Sequence, residues 1–248
     1  AASVVYKRQT HHPRSNRILY TRHPSSRTAA ARLAPALQFP RAWAHREVHG
    51  VVNPAHLALT LFNAVNVLIC VWEHALFLHR GKIKREHARL KRKHGDRALP
   101  KPLCLFEDVS PRQALSYAHW SVIWSQYALL DPSYADQRSF GFWVDSGNGV
   151  VTLPATLLLS HAATYAGKNA YFLSTEAVAV VGIVVNYQML YGTVLYFCNY
   201  VLNGYARGAS RASVATVIVA NAIWIVFPGW WIRVCWDILT TDSFETLR

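Results

Sequence analysis

Ionisable side chains stand at the edges of long uncharged stretches of this sequence. Asp145 directly precedes the stretch Ser146–Gly167, and Glu73 and His74 directly follow the stretch Val51–Trp72. If such stretches lie in hydrocarbon, an ionisable group there is costly to keep and is a functional candidate by default. Asp145 and Glu73 are therefore candidate functional residues. For Asp145 the structural alternative is a hydrogen bond that only holds helices together.

Uncharged polar side chains accompany these carboxyls in the other apolar stretches. Asn148 follows Asp145 by three residues, and Asn221 precedes Trp224 by three, so each pair shares a helical face. Together these groups predict a partly polar cavity within a helix bundle, with interhelical hydrogen bonding as the alternative reading. The predicted ligand-cavity residues are Asn148, Gln188, Tyr191, Thr193 and Tyr196.

Four stretches without Asp, Glu, Lys or Arg define the elements that must position these groups. They are Val51–Trp72, Ser146–Gly167, Ala177–Ala206 and Ala212–Ile232. Each reaches the roughly 20 residues that an α-helix needs to cross a membrane. The sequence thus predicts an all-α membrane protein with four spans, at about 54–78, 140–165, 175–201 and 212–239. The low charged fraction of 16% argues against a soluble domain.

The segments outside the spans are predicted by composition and periodicity. Residues 1–50 are expected to form a basic, extended N-terminal tail, since prolines are scattered through it and apolar periodicity is lacking. The membrane domain covers residues 51–240, and residues 241–248 form a short C-terminal tail. Aromatic residues at 117, 120, 124 and 127 share one face of a helix over 113–130. This spacing predicts an amphipathic helix lying at the membrane interface.

The remaining sequence is strongly basic, with a net charge of +13. The densest stretch, His79–Lys101, directly follows the first span. Beside a span, such charge favours contact with anionic lipid headgroups or with an acidic partner subunit over nucleic-acid binding; a solvated loop is the alternative. The Arg- and Ser-rich, acid-poor start is typical of an organelle-targeting presequence or its remnant. We expect a mitochondrial inner membrane or plastid membrane, with the endoplasmic reticulum as the alternative.

Metal and disulfide sites are not predicted. The four cysteines form no CxxC pair and have no metal-ligand spacing. His56 and His161 lie in predicted spans and could ligate a metal macrocycle, but nothing in their spacing singles out that role. The expected bound molecules are instead a lipid, a sterol or a pigment.

Three motifs resemble those of the emopamil-binding protein family, the sterol Δ8–Δ7 isomerases of the wider EXPERA group of four-span membrane proteins. They are WSQYALLDPSY at 124–134, YGTVLYF at 191–197 and NAIWIVFPG at 221–229. The resemblance covers roughly residues 50–240 and implies an EXPERA-like bundle with one interfacial helix. It also implies that Asp145 and Glu73 act as acid and base, that Trp224 stabilises a carbocation through its ring face, and that Asn221 takes the place of the family's asparagine beside it.

The first span departs from the family pattern, in which a His precedes the Glu by four residues. Here Ile69 stands four residues before Glu73, and a shifted register pairs Asn66 with Cys70 instead. Thr193 stands where the family has Asp. These departures favour a non-catalytic accessory subunit of a respiratory or photosynthetic membrane complex, such as a supercomplex. The alternatives are an active sterol isomerase and a lipid-binding or transport protein.

Overall fold

The computed structural model describes residues 28–29, 32–95, 104, 107–165 and 173–248. The described part is almost entirely helical, and its one pair of short strands joins Thr28–Ala29 (β1) to Asp108–Val109 (β2) in antiparallel register. Its helices in chain order are α1 (Leu33–His49), α2 (Pro54–Leu78), α3 (Arg80–His94), α4 (Pro111–Ala114), α5 (Tyr117–Tyr127), α6 (Phe140–Thr164), α7 (Thr175–Leu202) and α8 (Arg211–Thr241). Two 3₁₀ turns, Pro132–Ala135 and Glu245–Leu247, complete the described elements.

Three of these helices, α2, α7 and α8, are long and apolar enough to cross a membrane. Their bounds agree with the predicted spans to within about two residues. Helix α6 also has the predicted bounds and is 25 residues long, but it carries Asp145, Asn148 and a row of hydroxyl residues that lower its hydropathy. Among the described residues the structure thus supports three candidate spans, and the fourth span stays a prediction.

The four long helices begin at polar caps that the sequence displays. Asn53 accepts hydrogen bonds from the backbone N–H groups of Ala55 and His56, and Pro54 occupies the first turn of α2, where its missing N–H costs nothing. Serines take the same role at the start of the other three. They are Ser139 for α6, Ser174 for α7 and Ser210 for α8.

The prediction of an extended tail through residue 50 is wrong for its last third. Residues Leu33–His49 form α1, which packs along α2. Gln38 donates to the Thr60 hydroxyl at 2.7 Å, and the ring of His45 stacks on His56 at 3.8 Å. Polar contacts hold this helix, so a search for apolar periodicity does not find it. Residues 1–27 lie outside the described residues, and with them the predicted targeting segment.

The aromatic segment near residue 120 is also organised differently from the prediction. The helix predicted over 113–130 is divided into α4 and α5 at Leu115 and Ser116. Its aromatic face packs against protein rather than lipid, because Trp120 and Trp124 are buried and the Trp124 indole donates to the Trp72 carbonyl at 2.5 Å. Helix α5 is therefore a wall of the bundle.

A row of buried polar side chains joins α2 to α6. Hydroxyl residues recur every four positions along α6 and so lie on one face. Each meets a polar partner on α2: Thr152 with Cys70 (3.2 Å), Thr156 with Asn66 (2.8 Å), Ser160 with Asn63 (3.1 Å) and Thr164 with His56 (3.4 Å). In a membrane such interhelical hydrogen bonds replace much of the hydrophobic driving force that holds helices together in water.

Helix α8 packs mainly along α7. Gly182 allows the two backbones to approach closely, since a Cβ atom there would collide with the Cys235 sulfur. The resulting layout places α2 and α6 as one close pair and α7 and α8 as another. The space between the two pairs, closed on one side by α5, holds the site described next.

Candidate functional site

A cavity of about 300 Å³ lies between the two helix pairs. Its volume is at the lower end of the range typical of ligand pockets. Aromatic and aliphatic side chains form most of the wall, and a few polar groups converge on one part of it. The lining residues are Val65, Ile69, Trp72, Glu73, Ile123, Trp124, Tyr127, Tyr134, Asp145, Asn148, Thr193, Ala220, Asn221, Ile223 and Trp224.

The two predicted carboxyls both line this cavity. Glu73 is buried where α2 and α6 approach each other closely, and a Cβ atom on Gly149 would lie only 2.8 Å from the Glu73 Cβ and 3.1 Å from the Cys70 carbonyl. The Glu73 Oε2 atom is buried without a hydrogen-bond partner in the described structure. An unsatisfied buried oxygen is costly in a native protein. Glu73 thus keeps one carboxyl oxygen available for a hydrogen bond at the cavity wall.

Trp224 is held in a fixed orientation by α2. Its indole N–H donates to the side-chain Oδ1 atom of Asn66 at 3.1 Å, and the Asn66 side-chain NH₂ donates in turn to the Thr156 hydroxyl on α6. Trp231, two turns along α8, and Asn63, one turn back along α2, repeat the arrangement at 3.0 Å. Each asparagine thus ties three helices together. The Trp224 ring is fixed beside the cavity before any ligand arrives.

A chain of hydroxyl groups leads away from the cavity on the α5 side. Asn221 donates to the Tyr127 hydroxyl at 2.9 Å, and Tyr127 is hydrogen-bonded to Tyr196. Tyr196 donates its proton to the buried carboxyl of Asp131 at 2.7 Å, and so it accepts from Tyr127. The chain has one direction, from the cavity amide to Asp131. It fixes α5, α7 and α8 relative to each other at this end of the cavity.

Two tyrosines outside the candidate spans keep their protons in this setting. Burial raises the pKa of Tyr127, and burial together with the nearby Asp145 carboxyl raises the pKa of Tyr134 well above its ordinary value. The Tyr134 hydroxyl also lies within hydrogen-bonding reach of Asp145. Tyr134 is therefore a proton-bearing donor toward that carboxyl across the working pH range.

Most residues predicted from the sequence meet at this cavity. Asp145, Glu73, Trp224, Asn221, Asn148 and Thr193 line it. Gln188 and Tyr196 stand behind the lining, where Gln188 donates to the side-chain Oδ1 atom of Asn148 at 3.1 Å. Tyr191 is half exposed on the outer face of α7, stacked on Tyr187, and does not reach the cavity. Its inclusion in the ligand cavity was wrong, because its angular position on α7 differs from that of Thr193.

Sequence reasoning missed the aromatic part of the wall. Trp72, Trp124, Tyr127 and Tyr134 come from three separate segments, and only the packing of α5 against α2 brings them together. The spacing of the aromatic residues in α5 was a usable signal. It was assigned to a membrane interface instead of the protein interior.

The histidines predicted to lie in spans do not form a metal centre. His56 stacks on His45, which contacts His49, and the Nε2 atom of each ring is hydrogen-bonded to Thr164 or to the Leu247 carbonyl. His161 lies elsewhere on α6, beside Tyr165. No group of three His, Cys, Asp or Glu residues suited to a metal ion occurs in the described part of the chain.

Chemically, the arrangement can hold an apolar molecule that has one polar end. It also places two carboxyls and one oriented indole ring around that molecule. Neither the protein-family models nor the curated proteins contain a match to this chain.

Proposed function

We propose that this protein is an EXPERA-like four-span membrane protein, with α6 as the fourth span, that holds a lipid, sterol or pigment as a non-catalytic accessory subunit of an organellar membrane complex. The observation that carries the proposal is the cavity itself. It lies inside the bundle, its walls are mainly apolar and aromatic, and its polar groups converge on one part. Such a site suits an amphiphilic ring-bearing molecule.

Assigning α6 to a span follows from its packing. Its polar side is turned inward, where hydroxyl residues meet α2 and Asp145 and Asn148 face the cavity. The opposite side exposes Val150, Val151 and Leu157. A helix that turns most of its polar groups inward and exposes mainly apolar side chains can cross a bilayer despite a modest mean hydropathy.

The non-catalytic reading rests on the α2 wall. The residue four before Glu73 is Ile69, and its apolar side chain lines the cavity. The alternative match to the family pattern puts Asn66 at the position of the family's His, and the side chain of Asn66 is already hydrogen-bonded to Trp224 and Thr156. Helix α2 thus offers one carboxyl and no second proton-transfer group on the cavity side.

The role as a subunit is supported by α3. This helix directly follows α2 and buries Ile83 and Leu90 against the bundle. It also carries seven exposed cations: Arg80, Lys84, Arg85, Arg89, Lys91, Arg92 and Lys93. This positive charge suits an acidic subunit or an anionic lipid surface.

The first experiment measures native mass in a mild detergent and identifies the proteins and lipids that co-migrate. A subunit migrates in a discrete assembly of defined chains, and it is released when Lys84, Arg85 and Arg89 are replaced by Glu. A particle of one or two copies in both forms would refute the subunit role.

One observation favours a second candidate, an active sterol Δ8–Δ7 isomerase. Glu73 and Asp145 line the same cavity as Trp224 and Asn221, which is the constellation that proton addition, cation stabilisation and proton removal require. Conversion of a Δ8 sterol to its Δ7 isomer by purified protein would establish this activity, and Asp145→Asn should abolish it. Asp237→Asn, on the outer face of α8, makes the same charge change away from the cavity and should leave conversion intact.

A further inference from the structure

Helices α2 and α8 meet over only part of their length. On one side of the cavity, Phe62 stacks on Phe227 with ring centroids 5.1 Å apart, and it meets the edge of Trp224 at 6.0 Å. Beyond this contact, Val65 and Ile69 of α2 line the cavity. The two helices therefore separate beside the cavity instead of sealing it.

Exposure around the cavity is uneven. Among its lining residues, Trp72, Glu73, Trp124 and Tyr134 are buried. Ala220 is exposed, and the other ten lining residues are partly exposed, Asp145 and Asn148 included. We call Ala220 and the partly exposed apolar residues Val65, Ile69, Ile123 and Ile223 the mouth. Because Ala220 is the exposed member of the lining and α2 and α8 separate beside it, the cavity opens to the outside of the bundle between α2, α5 and α8.

The mouth lies in an apolar belt at the depth of the hydrocarbon. Ala220 and Ile223 stand nine and twelve residues after the start of α8 at Arg211, about 14 and 18 Å along the helix axis. A hydrocarbon core is about 30 Å thick, so both residues lie near its middle. The neighbouring outer face of α8 is apolar, with Ile218 and Val219 exposed. All five mouth residues are themselves apolar.

We infer that the cavity is loaded sideways from the bilayer through this mouth, by a single-headed amphiphile whose polar end goes in first. The inference rests on the proposed ligand-holding function. The polar end then reaches the polar part of the wall, at Glu73, Asp145 and Asn148. The apolar end stays at the mouth, in contact with lipid acyl chains, so a molecule longer than the cavity still fits.

Ala220 is the residue at which this route can be blocked. It is the smallest side chain of the mouth and is exposed, so a phenylalanine there extends into the opening without displacing the inner wall. Val219 provides a matched control. It is 69% exposed and points about 100° away around the same helix, so Val219→Phe adds an aromatic ring to the outer face only.

The test follows energy transfer from the protein tryptophans to dehydroergosterol, a fluorescent sterol, supplied in phosphatidylcholine vesicles that contain the protein. We expect Ala220→Phe to slow loading by at least about tenfold, because steric overfilling of the mouth must be relieved at each passage. Val219→Phe should load at the rate of the unchanged protein. Equal rates for all three proteins, or equal slowing by both substitutions, would overturn the lateral route.

A second measurement does not depend on the ligand. A bimane fluorophore attached at Ala220→Cys should be quenched by phosphatidylcholine that carries a doxyl group deep in its acyl chain, and not by aqueous iodide. Quenching by iodide, or by neither agent, would also overturn the route. If the bimane is quenched by the lipid but the unchanged protein takes up no sterol, the mouth stands and sterol holding, as part of the proposed function, fails.

Discussion

Gly149 lies where α6 and α2 approach each other closely, and its replacement by alanine should separate the two helices. The added Cβ would stand 2.8 Å from the Glu73 Cβ and 3.1 Å from the Cys70 carbonyl oxygen. The carbonyl belongs to the α2 backbone and cannot rotate away. The helices must therefore move apart by several tenths of an ångström, which also strains the Cys70–Thr152 and Asn66–Thr156 hydrogen bonds.

Gly147, one position before Asn148 on the same helix, gives the matched control. A Cβ atom there meets nothing within 4 Å, so Gly147→Ala changes only helix propensity. That gain is about 0.5–1 kcal/mol, and Gly149→Ala receives it as well. Overpacking at Gly149 costs about 1–3 kcal/mol, so the two variants should differ in stability by about that amount.

The assay is thermal unfolding of both variants in the same detergent, followed by tryptophan fluorescence. For a chain of this size about 1 kcal/mol shifts the melting temperature by about 2–4 °C, so Gly149→Ala should melt about 2–12 °C below Gly147→Ala. Gly149→Ala should also bind dehydroergosterol more weakly, because Glu73 is displaced. Equal melting temperatures would show that α2 and α6 are not in contact at this point, and the cavity wall built on that contact would be wrong.

Three further changes test the hydrogen-bonded frame. Asn66→Leu removes the acceptor of the Trp224 indole and should lower stability by about 0.6–2 kcal/mol, with a shift in tryptophan emission. Tyr196→Phe removes the hydroxyl that donates to a buried carboxyl and should lower the free energy of unfolding in denaturant by about 1.5–3 kcal/mol. A loss no larger than that caused by the same substitution at an exposed tyrosine would contradict this role. The pKa values of Tyr127 and Tyr134 are raised in the folded protein, so their protonated forms contribute to its stability. This contribution is complete below pH 10, the model-peptide pKa of tyrosine, and decreases as the pH rises above that value. A melting temperature that stays constant through this range in an alkaline series would contradict the burial of the two tyrosines.

The helices that the sequence predicts well are those whose signal is local. Charge-free stretches mark α2, α7 and α8, and Asn53, Ser174 and Ser210 mark their starts. Helix α1 escaped prediction because its buried positions, Ala34, Gln38 and His45, are small or polar and depend on contacts with α2. Hydropathy carries no information about such a face.

The residues of the candidate site also fall into those with a local signal in the sequence and those that depend on long-range packing. Asp145, Glu73, Asn221 and Trp224 were found because charged and amide groups are conspicuous in apolar stretches and because the motifs resemble a known family. The tyrosines of the wall were missed because their role depends on where α5 packs, which is a long-range property. Tyr191 was misplaced since a shared face with Gln188 does not tell which face is inward.

The same side chains serve as frame and as cavity wall, and this limits how the protein can vary. Asn66 orients Trp224 and joins α2 to α6, so any change there alters both stability and the site. Asp145 and Glu73, in contrast, are not part of the row that joins the two helices. Replacing Asp145 by Asn should therefore alter what the cavity binds while the native mass and the melting temperature stay close to those of the unchanged protein. An Asp145→Asn protein that no longer assembles or folds would show that this carboxyl is required for the structure of the bundle. The role of Asp145 in the cavity would then not be separate from its role in folding.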